Sequence, residues 1–303
     1  MAAANLRMLG EEPVEIDGKR YTVRQDMVRG PKPKEGLGFF NAAVLGGALA
    51  TLAVSRRARL AAATTAGGLG ASLALLYVVM KNSKEASDAV VSRLIPAACE
   101  GMDKAMRNIK KELLKDMKGD VLDFGSGDGQ YLEYVAKQGP AVTSVTSLEP
   151  LAKFHPKIEA RAERLQLPFK GVYPKFSSDM VRERGTELYD FIILGNVLCE
   201  VPDQKAAVGD LFQMLRPGGK LYFIEHVAHE PGTISNVVQR WIDPVWSVIS
   251  GGCHCDRESL KALRSVPWDL FAWDMYTATP ILGRIQVGIA VKPSGTQSGN
   301  AKL

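Results

Sequence analysis

Apolar residues follow three different patterns along the chain. Residues 37–54 and 60–80 are two runs without a charged residue. Between residues 82 and 118, apolar residues recur every three or four positions, which is typical of an amphipathic helix. After Gly119, short apolar or β-branched runs alternate with longer helical patterns. These patterns predict a helical N-terminal part followed by an α/β domain.

The alternation after Gly119 is the signature of parallel βαβ units. We therefore predict a doubly wound sheet with helices on both faces. The predicted strands span residues 121–124, 142–148, 189–194, 220–224 and 286–291.

The two uncharged runs are candidates for membrane insertion. A helix needs about 20 apolar residues to cross the hydrocarbon core, a length that residues 60–80 meet and residues 37–54 approach. The stretch between the runs contains Arg56, Arg57 and Arg59 and forms the turn of a predicted hydrophobic helical hairpin. A pair of soluble, alanine-rich helices is the alternative.

The chain divides into five predicted segments. The acidic residues of the first segment argue against a mitochondrial presequence. The fourth segment is expected to carry the chemistry, and the third either lies on a membrane surface or covers the neighbouring domain. The segments are a polar extension at 1–36 with a possible small hairpin at 15–23, a membrane-anchoring hairpin at 37–80, an amphipathic helical linker at 81–118, the α/β domain at 119–292 and a disordered tail at 293–303.

Composition and charge narrow the possible partners. The chain is 46% hydrophobic and 23% charged, as is usual for a globular protein, and its net charge of +5 is spread over the sequence. A spread of this kind argues against nucleic-acid binding. The four cysteines, Cys99, Cys199, Cys253 and Cys255, fit neither a disulfide framework nor a zinc site, so a reducing compartment is expected.

A glycine-rich turn follows the first predicted strand of the α/β domain. Gly125, Gly127 and Gly129 are spaced by two, and Asp123 stands two residues before the first of them. Glycines at such a junction let a ligand approach the backbone at a helix N-terminus. Asp128 would repel a dinucleotide pyrophosphate, whereas it suits a cationic sulfonium ligand that also carries an ammonium group.

This turn resembles the first motif of class I methyltransferases, and the domain is accordingly expected to be a Rossmann-like methyltransferase sheet. The resemblance implies that S-adenosylmethionine is the cofactor. The turn residues expected to bind it are Asp123, Gly125, Ser126, Gly127, Asp128 and Gly129.

Two further residues extend the predicted cofactor site. Glu149 ends the next apolar run, about 20 residues beyond the glycines, where an acid accepts both ribose hydroxyls. Asn196 follows the strand at 189–194, which in class I methyltransferases delivers residues beside the methyl group. An ordinary turn asparagine is the alternative for Asn196.

Residues 119–292 resemble more narrowly the membrane-associated methyltransferase-like thiol methyltransferases, which are relatives of quinone and phosphatidylethanolamine methyltransferases. The residues that carry this resemblance are 196–201, 215–227, 241–246 and 251–259. The family has an N-terminal hydrophobic anchor and is found at the endoplasmic reticulum or lipid droplets. Here the anchor is doubled and a polar extension precedes it, so the mitochondrial inner membrane is an alternative location.

The resemblance predicts transfer of a methyl group to a small lipophilic acceptor such as a thiol. A thiol must lose its proton to become nucleophilic, and His226 and His254 are the candidate bases. Trp241 and Trp246 are expected either in a lid over an apolar pocket or in the core. No metal is expected, because three adjacent residues at 253–255 cannot close a tetrahedral site. A lipid or quinone methyltransferase and an inactive scaffold subunit of the same fold are the alternatives.

Overall fold

The computed structural model describes residues 14–16, 19–24, 75, 77–83, 85–86, 103–104, 106–277 and 284–295. The predicted hydrophobic hairpin at 37–80 lies outside these ranges except for its last few residues, and the tail beyond 295 lies outside them as well. Within the described ranges, no helix has both the length and the apolar character needed to cross a bilayer.

The centre of the molecule is a mixed β-sheet. Its strands are β1 (Val14–Ile16), β2 (Lys19–Arg24), β3 (Gly119–Phe124), β4 (Val142–Leu148), β5 (Phe169–Tyr173), β6 (Tyr189–Gly195), β7 (Leu215–His226), β8 (Leu270–Thr277) and β9 (Arg284–Val291). They are arranged in the order β1-β2-β8-β9-β7-β6-β3-β4-β5. Strands β3 to β7 are parallel, and β9 runs antiparallel to both β7 and β8. The expected parallel core is therefore confirmed.

Strands β1 and β2 form an antiparallel hairpin, as the pattern at 15–23 predicted. Strand β2 then pairs in parallel with β8 and extends the edge of the sheet. The polar N-terminal segment thus contributes two strands to the sheet of the α/β domain.

Helices cover both faces of the sheet, as expected for a doubly wound fold. They are α1 (Leu132–Ala136), α2 (His155–Arg164), α3 (Ser177–Arg184), α4 (Gln204–Met214), α5 (Ile234–Ile249) and α6 (Ser259–Leu263). One apolar core holds residues of α1 and α2, and the other holds residues of α3, α4 and α6. The sheet is therefore buried on both sides, which explains its apolar strands.

Residues 106–113 are helical, and their apolar stripe covers the α/β domain. Met106, Ile109 and Leu113 lie in the same core as α1 and α2. Of the two readings of this stripe, the structure supports coverage of a neighbouring domain over a membrane-surface position. The packed domain accordingly starts before Gly119.

Strands β5 and β8 were missed by the hydrophobic pattern. Strand β5 lies at the sheet edge and contains Lys170 and Gly171, which interrupt its short apolar run. The stretch at 217–219 lies within β7, because α4 ends at Met214 and the chain is extended from Leu215. The pairing of β6 with β7 shifts register over this stretch, so the glycines form an irregular start of β7.

Arg216 joins three neighbouring strands. Its guanidinium donates to Asp190 Oδ2 at 2.6 Å and to Asp120 Oδ2 at 2.8 Å. The Asp120 backbone N–H also donates to Asp190 Oδ2 at 2.8 Å. This network joins the start of β7 to β3 and β6.

Gly288 should be essential for close packing between neighbouring strands of the sheet. A Cβ at this position would lie 2.1 Å from the Phe223 ring and 2.4 Å from the Ala272 carbonyl oxygen, and that oxygen belongs to the neighbouring strand. We expect Gly288→Ala to lower the free energy of unfolding by about 3 kcal/mol in urea denaturation, because the overpacked sheet must shift.

Gly209→Ala is the matched control. Gly209 lies in α4, and a Cβ there meets nothing within 4 Å. Alanine should raise stability by up to about 1 kcal/mol through its helix propensity. Equal stabilities of the two variants would contradict the packing argument.

Candidate functional site

The glycine turn connects β3 to α1 in a conformation that side chains disfavour. Gly125, Gly127 and Gly129 have φ values of +64°, +54° and +78°. A Cβ on Gly125 would lie 2.5 Å from Val197, whereas Gly127 has open space around it. Gly125 is therefore required by close packing, and Gly127 leaves room for a ligand beside the backbone.

A cavity of about 440 Å³ opens beside this turn. It lies at the carboxyl ends of β3, β4 and β6, where doubly wound sheets bind ligands. Its walls include the predicted site residues Gly125, Ser126, Gly127, Asp128, Glu149 and Asn196. Asp123 and Gly129 are absent from the described lining and lie behind it.

Glu149 is held in place by the backbone of two loops. Its Oε2 accepts a hydrogen bond from the Gly127 N–H at 2.8 Å, and its Oε1 accepts one from the Leu151 N–H at 2.9 Å. Burial raises the pKa of this carboxyl, and the two N–H donors oppose the increase. Each oxygen retains accepting capacity toward the cavity, so the geometry suits the predicted contact with ribose hydroxyls.

Asp123 is buried at the end of β3. Burial raises its pKa to about 7, and the nearby Glu149 and Asp128 carboxylates add to this effect. Its Oδ2 has no hydrogen-bond partner in the described structure. A cation bound on the far side of the turn would relieve this energetic cost, because an opposite charge favours the ionised carboxylate.

Asp128 and Asn196 lie on the cavity wall. Asp128 Oδ2 is 3.7 Å from Arg161, so part of its charge is already compensated. Asn196 has a φ of +57°, and its backbone N–H donates to the Ile224 carbonyl at 2.8 Å. It therefore occupies a strained turn position whose side chain borders the cavity.

Glu225 supports this wall, and sequence reasoning assigned it no role. The fully buried carboxylate accepts hydrogen bonds from the N–H groups of Val197 at 3.0 Å and Leu198 at 3.1 Å. Burial raises its pKa to about 8 despite these donors. An acid at the end of an apolar strand is the signal in the sequence, but its partners follow only from the fold.

Lys110 is a second residue that was missed. It lines the cavity, is 3% exposed and binds Asp103 at 2.9 Å. Its ammonium also lies 4.5 Å from the centre of the Tyr131 ring. The available signal is that Lys110 falls on the apolar stripe of Met106 and Leu113 rather than on the polar face.

Glu200 is a third residue that sequence reasoning missed. It lines the cavity. The side chain is solvent-exposed, yet protein surrounds it on much of its surface. This desolvation raises the pKa to about 8, and negative charge at Cys253 and Glu149 contributes.

The two candidate histidines lie apart from the described cavity lining. His226 is buried, and its Nδ1 is 3.8 Å from the Cys253 thiol. Hydrogen bonding from Cys199 and the proximity of His226 lower the pKa of Cys253, whereas that of the buried Cys199 is raised. Cys199 is thus a buried, protonated thiol. The catalytic role of His226 stays a prediction.

His254 pairs with a helix instead of facing the cavity. Its Nδ1 lies 2.7 Å from Asp243 Oδ2, and Asp243 Oδ1 accepts the Cys255 N–H at 2.7 Å. Asp243, His254 and Asp256 each place one potential metal ligand within 4.8 Å of the others. Both oxygens of Asp243 already have partners, so Asp243 links α5 to the loop that follows it.

The tryptophan prediction needs correction. Trp241 is 82% exposed on α5, so it is not packed in the core, and it is absent from the described cavity lining. Trp246 is half-buried. For Trp241, the structure therefore shows neither the predicted lid over the cavity nor packing in the core.

Comparisons with known proteins agree with this site. Residues 99–266, more than half of the chain, match the family model described as "Methyltransferase domain". The chain is 29% identical over 167 residues to the thiol S-methyltransferase TMT1B of Rattus norvegicus and 30% identical over 167 residues to TMT1A of Homo sapiens. These alignments cover 52% of this chain and 66% of each relative, just under two thirds of their length.

More distant proteins share the fold. A ubiquinone biosynthesis O-methyltransferase of Yersinia pestis is 27% identical over 180 residues, covering 57% of this chain and 66% of that protein. A solved O-methyltransferase family protein from Burkholderia thailandensis superposes with a TM-score of 0.53 at 16% identity, covering 71% of this chain and 62% of that one. The family match over residues 99–266 shows that the chain belongs to the methyltransferase-domain family, and the glycine turn, Glu149 and the cavity lie within the matched residues.

Proposed function

We propose that this chain is an S-adenosylmethionine-dependent methyltransferase that is attached to a membrane and methylates a small lipophilic thiol. The observation that carries the acceptor class is Glu200, a carboxylate on the cavity wall whose pKa is raised by desolvation, which suits it to accept the proton of a thiol. The names of the rat and human relatives, thiol S-methyltransferases, support the same class. Leu151, Phe154 and Val201 on the cavity wall suit a lipophilic molecule.

The chain's own residues would hold the cofactor at the turn. S-adenosylmethionine supplies an electrophilic methyl group on a sulfonium centre. Glu149 would accept the ribose hydroxyls, and Asn196 would contact the methionine part. Asp123 and Asp128 would provide negative charge toward the cationic portion. Positioning of both reactants in a cavity that excludes water supplies most of the rate enhancement in such a transfer.

Glu200 would accept the proton of the thiol. A base is most effective when its pKa is near the working pH, and proton transfer typically contributes about 10²- to 10⁴-fold in rate. His226 is the alternative base, behind the wall and beside Cys253. The proton would move from the acceptor sulfur to a Glu200 oxygen, leaving a thiolate as the nucleophile.

Membrane attachment is the second part of the proposal. The uncharged runs at 37–54 and 60–80 support it, and these would place the enzyme at the endoplasmic reticulum or lipid droplets, with the mitochondrial inner membrane as the alternative. A quinone acceptor is the competing function, supported by the Yersinia pestis relative. An inactive scaffold would bind the cofactor without turnover.

Cofactor binding should raise thermal stability through the turn and Glu149. Saturating S-adenosylhomocysteine at about 100-fold over its Kd should stabilise the chain by about 2.7 kcal/mol in differential scanning fluorimetry. Glu149→Gln and Asp123→Asn should each lose most of this shift, because an amide removes the negative charge. Glu159→Gln on the exposed surface of α2 should keep it. An undiminished shift in both site variants would refute the assignment.

An acceptor screen with labelled cofactor should identify the substrate class. The full chain in lipid vesicles would be offered small alkyl thiols, quinols and phosphatidylethanolamine. We expect label on the thiols, increasing with their apolar surface. Label on a quinol or lipid without thiol methylation would replace the proposed acceptor, and cofactor binding without any product would favour the scaffold.

Glu200→Gln should change the pH profile of methyl transfer to an alkyl thiol. In the natural protein, activity should rise with pH as the Glu200 carboxyl ionises near pH 8. In the variant, kcat should fall by about 100-fold at pH 7.5 and rise up to the pH at which the thiol itself ionises. A thiol already ionised at neutral pH should rescue the variant. An unchanged profile would assign the proton to another base.

A further inference from the structure

Helix α5 (Ile234–Ile249) has its polar side toward the protein and its apolar side toward solvent. Asn236, Gln239, Asp243 and Ser250 are the buried polar residues of this region, with Gln239 fully inaccessible. A helix at the surface of a globular protein normally has the opposite arrangement. A buried polar side and an exposed apolar side are the informative exceptions to the usual distribution.

Specific hydrogen bonds fix this orientation. Asn236 Nδ2 donates to the His229 carbonyl at 3.0 Å, and Gln239 Oε1 accepts the His229 N–H at 2.7 Å. Asp243 accepts the Cys255 N–H at 2.7 Å. Rotating the helix to bury its apolar side would break all three bonds and expose buried backbone groups. These hydrogen bonds therefore hold the apolar side of α5 toward solvent.

The exposed side is continuous along the helix. Ile234 is 84% exposed, Val237 50%, Trp241 82% and Val245 38%. At 3.6 residues per turn, these positions and Pro244 fall within an arc of about 100°, and this arc contains no charged side chain. The indole N–H of Trp241 is the polar group at its centre.

We propose that this apolar side of α5 rests in the surface of a lipid bilayer. An arc of aliphatic residues around one tryptophan matches an interfacial helix, whose apolar face lies at the boundary of headgroups and acyl chains. A lipid occupant is favoured because the same chain carries the uncharged runs at 37–54 and 60–80, which are candidates for insertion into a bilayer. The chain also presents Leu75, Val78 and Val79 to solvent, at 65%, 52% and 43% exposure, where the uncharged run at 60–80 reaches the described structure.

The position of α5 relates this surface to the cavity. The helix ends at Ile249, and Ser250 caps it. The next two residues, Gly251 and Gly252, line the cavity. A lipophilic acceptor dissolved in the bilayer would thus reach the site beside the C-terminal end of α5. This inference rests on the proposed membrane attachment, and the experiment separates the two.

Quenching by brominated lipid tests the proposal on the full chain. The sequence has four tryptophans, Trp241, Trp246, Trp268 and Trp273, and none lies in residues 37–80. Brominated phosphatidylcholine vesicles should therefore quench Trp241 selectively, removing about one quarter of the total emission. Trp241→Tyr should abolish this loss, whereas Trp246→Phe, on the same helix, should preserve it.

Vesicle flotation measured on the same samples reports attachment separately. Flotation with Trp241-dependent quenching supports the proposal. Flotation with equal quenching in the natural protein and Trp241→Tyr overturns it and leaves attachment intact, and failure to float overturns both. If the chain is not quenched but forms a dimer, and if Val237→Asp dissociates that dimer, the apolar side of α5 binds a second copy of the chain. That result would also overturn the proposal.

Discussion

The geometry of the site depends on one buried carboxylate, that of Glu225 at the end of β7. It binds the consecutive N–H groups of Val197 and Leu198 and so fixes the loop after β6. That loop places Val197 against the glycine turn, where a Cβ on Gly125 would collide with it. The first glycine of the turn is therefore required by packing alone, with or without a ligand. A single acid thus fixes the loop after β6 and, through Val197, limits the residue at the start of the turn after β3.

Much of this architecture follows from local sequence. The parallel strands, the turn and Glu149 have signatures that depend on neighbouring residues, and the structure has them where the patterns predict. Lys110, Glu200 and Glu225 carry no comparable signature, because their roles arise from partners far away in sequence. The Lys110 ammonium is stabilised by Asp103 and the Tyr131 ring, and only the folded chain brings these groups together.

Helix α5 shows a different limit of sequence reasoning. The sequence predicted a lid or a core position for Trp241 and Trp246, but an apolar pattern alone does not state which side of a helix faces the core. The decision is made by Asn236, Gln239 and Asp243, which find backbone partners in the loops on either side. These hydrogen bonds lower the cost of burying the polar side, although Gln239 Nε2 has no partner in the described structure, and the apolar side is left free to meet another phase.

The helix at 106–113 has a consequence for how small a catalytic fragment can be. Lys110 forms part of the cavity wall, and Met106 and Ile109 fill the core beneath α1. A fragment trimmed to the first strand of the parallel sheet, at Gly119, would keep every glycine of the turn. It would nevertheless lose one side of the cavity and expose an apolar face of the sheet layer. The catalytic unit is thus longer than its recognisable motifs, and it reaches back toward the uncharged runs that precede it.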